Sequence, residues 1–542
     1  MGLGQAIRRG DPMVWLTGSA LGICILMITG LVGVILVNGL SFFWPKRLEQ
    51  LTLKDGSVFL GEISNREAIP NPGQPDHLER QRSLLRLGNR DLYGFDFKWI
   101  NDDEITKREA PAGAWFVERR EYGPFLGTPV SVKQADKVVA EGPAAAQALP
   151  ELVARAAADR KAVERIEKHE IGEINHRIEQ GRLAARRLEL EGGAGDVSAR
   201  RAEIERETAE GEAAFQKKTA ELAQLLEKVA GTFVTFRSAD GRDKELRSLD
   251  IYRAYPANEL GWFGRLRLYA SRLWAFFFED PRESNTEGGI FPAIFGTVMM
   301  VMLMSIVVVP LGVLAALYLR EYAKQGPLVR MVRIAVNNLA GVPSIVFGVF
   351  GLGFFVYFVG GSIDQLFFPE ALPTPTYGTG GILWAALTLA LLTVPVVIVA
   401  SEEALAAVPR SMREASLAMG ATKFQTILRV VLPAAAPGIL TGLILAMARG
   451  AGEVAPLMLT GVVKLAPELP VDGFFPFFHL DRKFMHLGFH IYDVGFQSPN
   501  VEAAKPMVYT TTIFLLLIVV LLNLTAILVR NRLRERYKTG AF

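Results

Sequence analysis

The sequence predicts an α-helical polytopic membrane protein of about six transmembrane helices, with a large insert of mixed β-rich and coiled-coil hairpin structure. Half of the 542 residues are hydrophobic, yet 21% are charged, so the two classes must occupy different parts of the chain. A bilayer-spanning helix needs about 20 apolar residues. Runs of that length or longer occur at 13–43, 291–319, 334–360, 380–400, 435–460 and 507–529. A polar stretch, 44–290, separates the first two runs and is long enough for a domain of its own.

The first apolar run is expected to be an uncleaved anchor. Arg8 and Arg9 in the tail 1–12 could flank a signal peptide, but the run is about twice the usual length of a signal-peptide core. No small-residue cleavage motif precedes Trp44-Pro45. The lone cysteine, Cys24, lies in this run, which excludes an intrachain disulfide and a cysteine metal cluster.

Short-loop charges predict the orientation, because Lys and Arg accumulate on the cytoplasmic side. Basic residues are concentrated in the tail 1–12, in 320–333, in 402–430 and in the C-terminal tail 532–542. If all six runs cross the membrane, these segments share one side. We therefore expect both termini in the cytoplasm, the insert 44–290 outside, and a membrane core from 291 to 531.

Turn signals predict that 50–130 and 231–256 of the insert are β-rich. Apolar alternation surrounds Asp55-Gly56, Gly88-Asn89 and Asp240-Gly241, which are typical of hairpin turns.

Residues 151–229 predict an antiparallel helical hairpin, roughly 50 Å long at about 1.5 Å per residue. The apolar positions have coiled-coil spacing, and glycines at 192, 193 and 195 divide the stretch into two arms. Two roles stay open for this hairpin: a solvated spacer, or a docking arm for an outside partner.

Residues 261–280 predict an amphipathic helix. Trp262, Phe263 and Trp274 alternate with Arg265 and Arg272, as in helices that lie on a membrane surface. A buried helix of the outer domain is the alternative.

Residues 402–433 are too charged to cross the membrane, and their composition favours helix. Gly420 interrupts the segment and Pro433 is expected to mark the start of the next span. Glu414-Ala415-Ser416, Gly420 and Leu432-Pro433 resemble the EAA loop of ABC-importer membrane subunits. Ser416 and Val430 replace the alanine and isoleucine usual in that family. The resemblance implies a loop that inserts a short helix into an ATPase subunit.

Three further segments, 320–355, 386–405 and 448–461, resemble the phosphate-specific (Pst-type) ABC importer permeases, A subunit. The resemblance runs from about 290 to the C-terminus and implies an ABC type I importer permease core. It also implies a bacterial inner-membrane location and an ATP-driven import complex for inorganic phosphate. The implied partners are a second permease subunit, two ATPase subunits and an extracytoplasmic phosphate-binding protein. The insert is much longer than in compact members, so its role is not carried over.

Arg449 and Glu453 place charge inside the fifth apolar run. Arg449 lies roughly 24 Å from Pro433 along a helix, at about 1.5 Å per residue, and a buried arginine costs several kcal/mol. Glu453, four residues on, falls on the same helical face. The pair predicts an anion site in the translocation path, where Glu453 competes with phosphate for Arg449. A salt bridge that only joins helices is the alternative. Gly450 and Gly452 are expected to loosen the helix there.

The remaining polar residues and turn residues of the membrane core are less informative about function. Asn337 and Asn338 are expected to bond between helices within the third span, which Gly341, Pro343 and Ser344 should kink. His479, His486 and His490 lack the carboxylate pattern of a metal site, so no metal is expected.

The sequence contains no phosphate-binding loop of the G-x-x-x-x-G-K-[ST] kind and no convincing catalytic set. We therefore expect a non-catalytic subunit that binds no cofactor itself, with ATP and Mg²⁺ on a separate ATPase chain and no nucleic-acid partner. Two other functions stay open: a permease-like scaffold or signalling protein that uses the outer hairpin, and an importer of another oxyanion such as sulfate or molybdate.

Overall fold

The apolar runs of the sequence form the membrane-crossing helices. The computed structural model describes residues 11–69, 80–135, 137–191, 197–498 and 501–538; the glycines at 192, 193 and 195 lie outside the described residues. Six helical stretches in these ranges are long and apolar enough to cross a membrane, which confirms the six-span prediction. They are Met13–Ser41, Phe291–Tyr322, Ser344–Phe367, Ile382–Ala407, Lys423–Gly452 and Val501–Glu535.

The helices and their bounds, in chain order, are as follows: α1 Asp11–Ser41, α2 Arg90–Tyr93, α3 Pro143–Glu164, α4 Gly172–Leu190, α5 Val197–Ala230, α6 Trp262–Phe278, α7 Phe291–Leu317, α8 Pro327–Leu339, α9 Ser344–Phe350, α10 Gly361–Phe367, α11 Ile382–Ala407, α12 Arg410–Ala418, α13 Lys423–Thr426, α14 Leu432–Gly452, α15 Ala455–Thr460, α16 Leu487–Tyr492 and α17 Val501–Lys538. π-Helical turns Arg165–Ile171, Tyr318–Tyr322, Gly351–Gly360, Ile427–Val431 and Asp493–Gln497 continue several of them. α17 extends to Lys538, so the predicted tail from 532 onward is helical where it is described.

Helix α11 lies at the centre of the membrane core. In its most apolar 18-residue segment 67% of the residues are buried, whereas in the corresponding segment of α1, at the periphery, 0% are buried. Small residues let its neighbours approach closely: a Cβ placed at Gly312 of α7 would lie 2.6 Å from Val397, and one at Gly442 of α14 would lie 2.7 Å from Ala400. The core is therefore built around α7, α11 and α14.

The predicted third span, 334–360, is divided into two helices. α8 ends at Leu339, and α9 begins at Ser344 after extended backbone at Pro343. Proline lacks an N–H and disfavours helix in the residue before it, so the predicted kink is a complete break. Asn337 and Asn338 lie exposed on α8, outside the span, and the prediction that they bond between helices within it is wrong.

The predicted fifth span, 435–460, also has different limits. The helix already begins at Lys423 and continues through the π-helical turn Ile427–Val431 into α14. Pro433 therefore lies inside a continuous helix, because local π-helical adjustment compensates for its missing N–H. The helix ends at Gly452. The loop predicted at 402–433 is shorter, because 402–407 belong to α11 and 423–433 to this helix.

The membrane core has two ends, which we call the insert side and the loop side. The insert 44–290 joins the core on the insert side, and residues 408–422, which we call the coupling loop, lie on the loop side. Helices α7 and α11 both begin on the insert side and end on the loop side.

Two antiparallel sheets form the β-rich part of the insert. One has the order β4-β3-β2-β1-β5; the other has the order β10-β9-β7-β6-β11, with β8 paired to β7. β1–β2 and β9–β10 are hairpins that turn at Gly56 and Gly241, while β3 and β4 are joined by a longer loop containing α2. The strands are β1 Glu49–Leu53, β2 Val58–Ala68, β3 Gln81–Arg86, β4 Phe97–Asn101, β5 Ile105–Glu109, β6 Trp115–Arg119, β7 Phe125–Gln134, β8 Lys137–Glu141, β9 Thr232–Arg237, β10 Asp243–Arg247 and β11 Ile251–Pro256; the short pair β12 Pro281–Arg282 and β13 Glu287–Gly288 follows.

The helical hairpin has α3 and α4 as one arm, which begins at Pro143 rather than 151, and α5 as the other. The arms pack antiparallel: Gly181 lies beside Thr208, Ile178 beside Gly211, and Lys218 Nζ is 2.7 Å from Glu170 Oε2.

This hairpin packs against the end of the insert and against loops of the membrane core. Lys168 Nζ is 3.2 Å from Asp280 Oδ2, and the His176 ring stacks on Phe474 with 4.6 Å between centroids. Nearer the tip, Arg187 pairs with the buried carboxylate of Glu370. Contacts at three places along its length mean that the hairpin is not a free spacer in this structure.

Helix α6 has two different faces. Phe276 is buried against Phe43, which follows the end of α1, and against Phe514 of α17, and Arg272 donates to Glu118 of the sheet at 2.7 Å. The other face exposes Trp262, Phe263, Trp274 and Phe278. The helix is thus buried on one face, and contact of its exposed aromatic face with a membrane surface stays a prediction.

Candidate functional site

Arg449 and Glu453 lie beside each other at the end of α14. The Arg449 Nε to Glu453 Oε1 distance is 3.5 Å, and the side chains are 34% and 20% exposed. Glu453 itself is extended (φ −77°, ψ 137°) and caps the helix, and α15 begins two residues later. The predicted pairing is present, although the helix on which it was based ends between the two residues.

The packing of Gly450 places Arg449 near the middle of the membrane. A Cβ at Gly450 would lie 2.7 Å from the Met304 sulfur, and Met304 is near the midpoint of α7. A Cβ at Gly452 would meet no described atom within 4 Å. Of the two glycines predicted to loosen the helix, Gly450 serves close packing and Gly452 faces open space.

The segment after Glu453 is held tightly. α15 packs on α9, where a Cβ at Gly348 would lie 2.7 Å from Pro456 Cα. At the end of α15, Gly461 adopts φ +152° and lies against the backbone of Gly381 at the start of α11. The Glu453 backbone is therefore fixed from both directions, while its carboxylate faces Arg449.

The arrangement leaves most of the Arg449 guanidinium available. A guanidinium carries five N–H donors, and the described residues place only the Glu453 carboxylate near it, at a distance beyond a good hydrogen bond. A planar fork of this kind matches the oxygens of a tetrahedral anion bidentately. Arg449 can thus exchange one anionic partner for another.

The coupling loop contains one helix and a left-handed turn, and a second helix follows it directly. α12 ends at Ala418, Gly420 adopts φ +85° as glycine does readily, and α13 begins at Lys423. Thr422 caps α13 through its side chain and Gln425, which forms a capping box. The helix that starts here continues to Arg449.

The residues of the predicted docking motif are divided between the loop and the helix. Glu414 and Ala415 are exposed on α12, and Gly420 is exposed at the turn. Ser416 Oγ lies 2.9 Å from Thr426 Oγ1, which joins α12 to α13. Leu432 and Pro433 are half-buried within the long helix.

Two features of the loop were missed from the sequence. Exposed apolar side chains surround the motif: Met412, Leu417, Met419 and Phe424 are 41%, 48%, 88% and 64% exposed. Apolar residues in a charged segment were the available signal. The second feature is Arg413, whose Nη2 lies 3.0 Å from Glu321 Oε1 and whose guanidinium also donates to the Leu405 and Val408 carbonyls. No sequence signal could identify a partner 92 residues away.

The three histidines occupy different surroundings. His479 lies 2.8 Å from Asp472, whereas His486 and His490 are buried, and burial lowers their pKa values to about 3 and about 4. Within the described ranges no group of three or more histidine, cysteine or acidic side chains is placed to hold a metal ion.

Comparison with known proteins identifies relatives of the membrane core. Residues 308–539 match the family described as binding-protein-dependent transport system inner membrane component. The chain is 37% identical over 199 residues to the phosphate transport system permease protein PstA 1 of Mycobacterium tuberculosis (strain CDC 1551 / Oshkosh), covering 37% of this chain and 59% of that relative. It is 31% identical over 223 residues to the probable ABC transporter permease protein YqgI of Bacillus subtilis (strain 168), covering 40% and 70%.

The chain thus spans 59% of the length of the first of these relatives. Among solved structures, a methionine ABC transporter in inward-facing conformations matches with a TM-score of 0.32 and 19% identity, covering 48% of this chain and 98% of that chain. At that TM-score the likeness supports no statement about the present chain.

Proposed function

The chain belongs to the family of binding-protein-dependent transport system inner membrane components, and on that premise we propose that it is a permease subunit of an ATP-driven importer of inorganic phosphate. The observation that carries the proposal is the position of Arg449: a guanidinium near mid-membrane with one carboxylate at 3.5 Å. The choice of phosphate is supported by relatives that are named phosphate transport system permease proteins.

In this proposal passage is an exchange of ion pairs. Phosphate is a mixture of the monoanion and the dianion near neutral pH, and it binds the Arg449 fork through two oxygens. A lone buried arginine would hold a dianion tightly and release it slowly. Glu453 supplies the competing partner, so that the guanidinium is never left without an anion and the phosphate can leave.

Energy would come from a separate ATPase chain that docks on the coupling loop. The exposed apolar side chains around Met419 and Phe424 would be covered by that subunit, with Glu414, Ala415 and Ser416 at the contact. Because one helix runs from Lys423 to Gly452, displacement of the loop moves the backbone next to Arg449. The loop side is then cytoplasmic, with both termini, and the insert lies outside the inner membrane. A second permease subunit, two ATPase copies and an outside phosphate-binding protein complete the complex.

The test is ATP-driven uptake of radiolabelled phosphate by the assembled complex in proteoliposomes. We expect Arg449→Gln to reduce uptake at least 100-fold while the protein still inserts and assembles. The matched control is Arg330→Gln, which removes an exposed arginine of α8 and should leave uptake unchanged. Uptake that survives Arg449→Gln would contradict the proposal. Excess sulfate or molybdate added to the same assay distinguishes phosphate from other oxyanions.

A further inference from the structure

A cavity of about 410 Å³ lies where the insert meets the insert-side ends of the membrane helices. Small-molecule sites commonly have volumes of this order. One wall is apolar and comes from the end of α1, from α6 and from α17, with Phe42, Phe276 and Met507 among its residues. The opposite wall comes from the sheets of the insert. The cavity thus opens between a folded domain and the membrane surface.

The lining of the cavity contains more basic than acidic side chains. Six basic side chains line the cavity (Lys46, Arg86, Arg253, Arg272, Arg282 and Lys505), against four acidic ones (Glu62, Glu118, Glu287 and Glu502). Such an excess in a partly desolvated site attracts an anion.

The acidic residues are already engaged by four of the cations. Glu118 accepts from Arg272 at 2.7 Å and from Arg253 at 3.3 Å. Arg86 lies 3.1 Å from Glu287 and 4.0 Å from Glu62, and Lys505 lies 2.7 Å from Glu502. Burial raises the pKa of the Glu118 carboxyl, and the guanidinium groups around it, Arg272 first, lower that pKa by more, so Glu118 stays ionised.

Two cations of the lining, Arg282 and Lys46, lie beyond ion-pair distance of every described carboxylate, although Arg282 interacts electrostatically with Glu118 and Glu287. The Arg282 guanidinium lies over the Tyr252 ring at 3.6 Å, and its Nε and Nη1 are buried without a hydrogen-bond acceptor in the described part of the chain. Lys46 is exposed and donates only to the Ile63 carbonyl, at 3.3 Å. A buried donor of a charged group left without an acceptor is destabilising, so an acceptor that reaches the Arg282 guanidinium would stabilise it.

We propose that this cavity binds a phosphate group, with Arg282 and Lys46 as its cationic ligands. The group is either free inorganic phosphate or the headgroup phosphate of a phospholipid in the leaflet on the insert side. Both present the same tetrahedral oxygens to the guanidinium fork. The apolar wall next to α1, α6 and α17 accommodates the acyl chains in the second case.

The site is separate from Arg449 and is tested without it. The full-length chain carrying Arg449→Gln is purified, so that binding at the proposed transport site does not contribute. One arm titrates inorganic phosphate into protein in phosphatidylcholine nanodiscs by calorimetry. The other arm counts dioleoyl phosphatidylglycerol molecules retained in detergent by native mass spectrometry.

We expect one of the two probes to bind saturably, and Arg282→Gln to weaken that binding at least tenfold. Lys46→Gln should weaken it about threefold. The matched control Arg155→Gln, an exposed arginine of α3, should leave it within twofold. Loss of phosphate binding identifies the free anion as the ligand, and loss of retained phosphatidylglycerol identifies the lipid.

The proposal is overturned if neither probe binds, or if its binding is unchanged by Arg282→Gln or falls equally with Arg155→Gln. Thermal unfolding of each variant reports on folding. If Arg282→Gln does not fold, the exposed Lys46→Gln decides alone, and an unchanged affinity in that variant rejects the site. Phosphate uptake that depends on Arg449 is a different measurement, so either proposal can fail without the other.

Discussion

Two arginine–glutamate pairs differ in how completely the arginine is hydrogen-bonded. One is Arg413–Glu321 on the loop side, and the other is Arg449–Glu453 near mid-membrane. Arg413 has a carboxylate at 3.0 Å and two carbonyl acceptors, and the side chains of the pair are 19% and 14% exposed. Arg449 has one carboxylate at 3.5 Å, and its pair is 34% and 20% exposed. The two terminal nitrogens of Arg413 reach all three acceptors, although its Nε is buried without one among the described residues. A guanidinium held at several acceptors anchors a segment, whereas a sparsely bonded one can take another anion. On this difference we expect a structural role for the first pair, and it supports the transport role proposed for the second.

The largest expected effect is on stability, at the anchor. Arg413→Ala leaves the Glu321 carboxylate partly buried without its partner, and removing one member of a buried pair costs about 3 kcal/mol. We expect the free energy of unfolding, from denaturant titration in detergent, to fall by that amount. Arg410→Ala, an exposed arginine three residues earlier, should change it little. Equal effects of the two substitutions would remove the distinction between the pairs.

A smaller loss is expected where the segment after Glu453 packs on α9. In Gly348→Ala the new Cβ meets the Pro456 backbone at 2.7 Å, and overpacking of this kind costs about 2 kcal/mol. The displaced α15 should also reduce transport by altering the position of Glu453. Gly353→Ala is the control, since a Cβ there meets no described atom within 4 Å. Unchanged stability in Gly348→Ala would show that α15 does not pack closely on α9.

The Ser416 hydroxyl should contribute about 1 kcal/mol, the usual value of one hydrogen bond. Ser416→Ala removes the contact with Thr426 across the Gly420 turn. Thermal melting of the purified protein measures the effect, and Ser411→Ala, exposed on the same helix, is the comparison. A Ser416→Ala variant as stable as Ser411→Ala would mean that α12 and α13 are not joined by this bond.

The smallest change in stability is expected at Arg449. A partly exposed pair is worth less than about 1 kcal/mol, so Arg449→Gln should unfold at nearly the wild-type denaturant concentration while uptake is lost. A loss of stability as large as that of Arg413→Ala would instead support the alternative in which Arg449 and Glu453 only join helices.

The ends of the membrane helices show how far the sequence could predict the fold. The six spans are predicted because apolar runs of sufficient length enter the bilayer. The break at Pro343 was predicted only as a kink, and the helical start at Lys423 was missed because Pro433 was interpreted as a boundary. A proline inside a helix is tolerated or not according to the backbone around it, and that backbone is not specified by local sequence.

At the candidate site, the proximity of Arg449 and Glu453 follows from their spacing of four residues, and the helix break in the coupling loop follows from Gly420. The anchoring of that loop does not, since Arg413 and Glu321 are 92 residues apart. The helical hairpin was interpreted as a spacer or an arm for another protein. Its contacts with Asp280 of the insert and with Phe474 and Glu370 of the membrane core place it against the rest of the same chain.

The sequence by itself determined which segments lie in the membrane, where several chain reversals occur, and which charged residues are enclosed by apolar runs. These properties depend on neighbouring residues and on the low solubility of polar groups in the bilayer. Only the tertiary structure decided which charges meet, Arg413 with Glu321 and Arg187 with Glu370, and it alone placed Arg282 and Lys46 in the lining of one cavity. Such pairs form between residues far apart in the chain, because packing of whole elements brings them together.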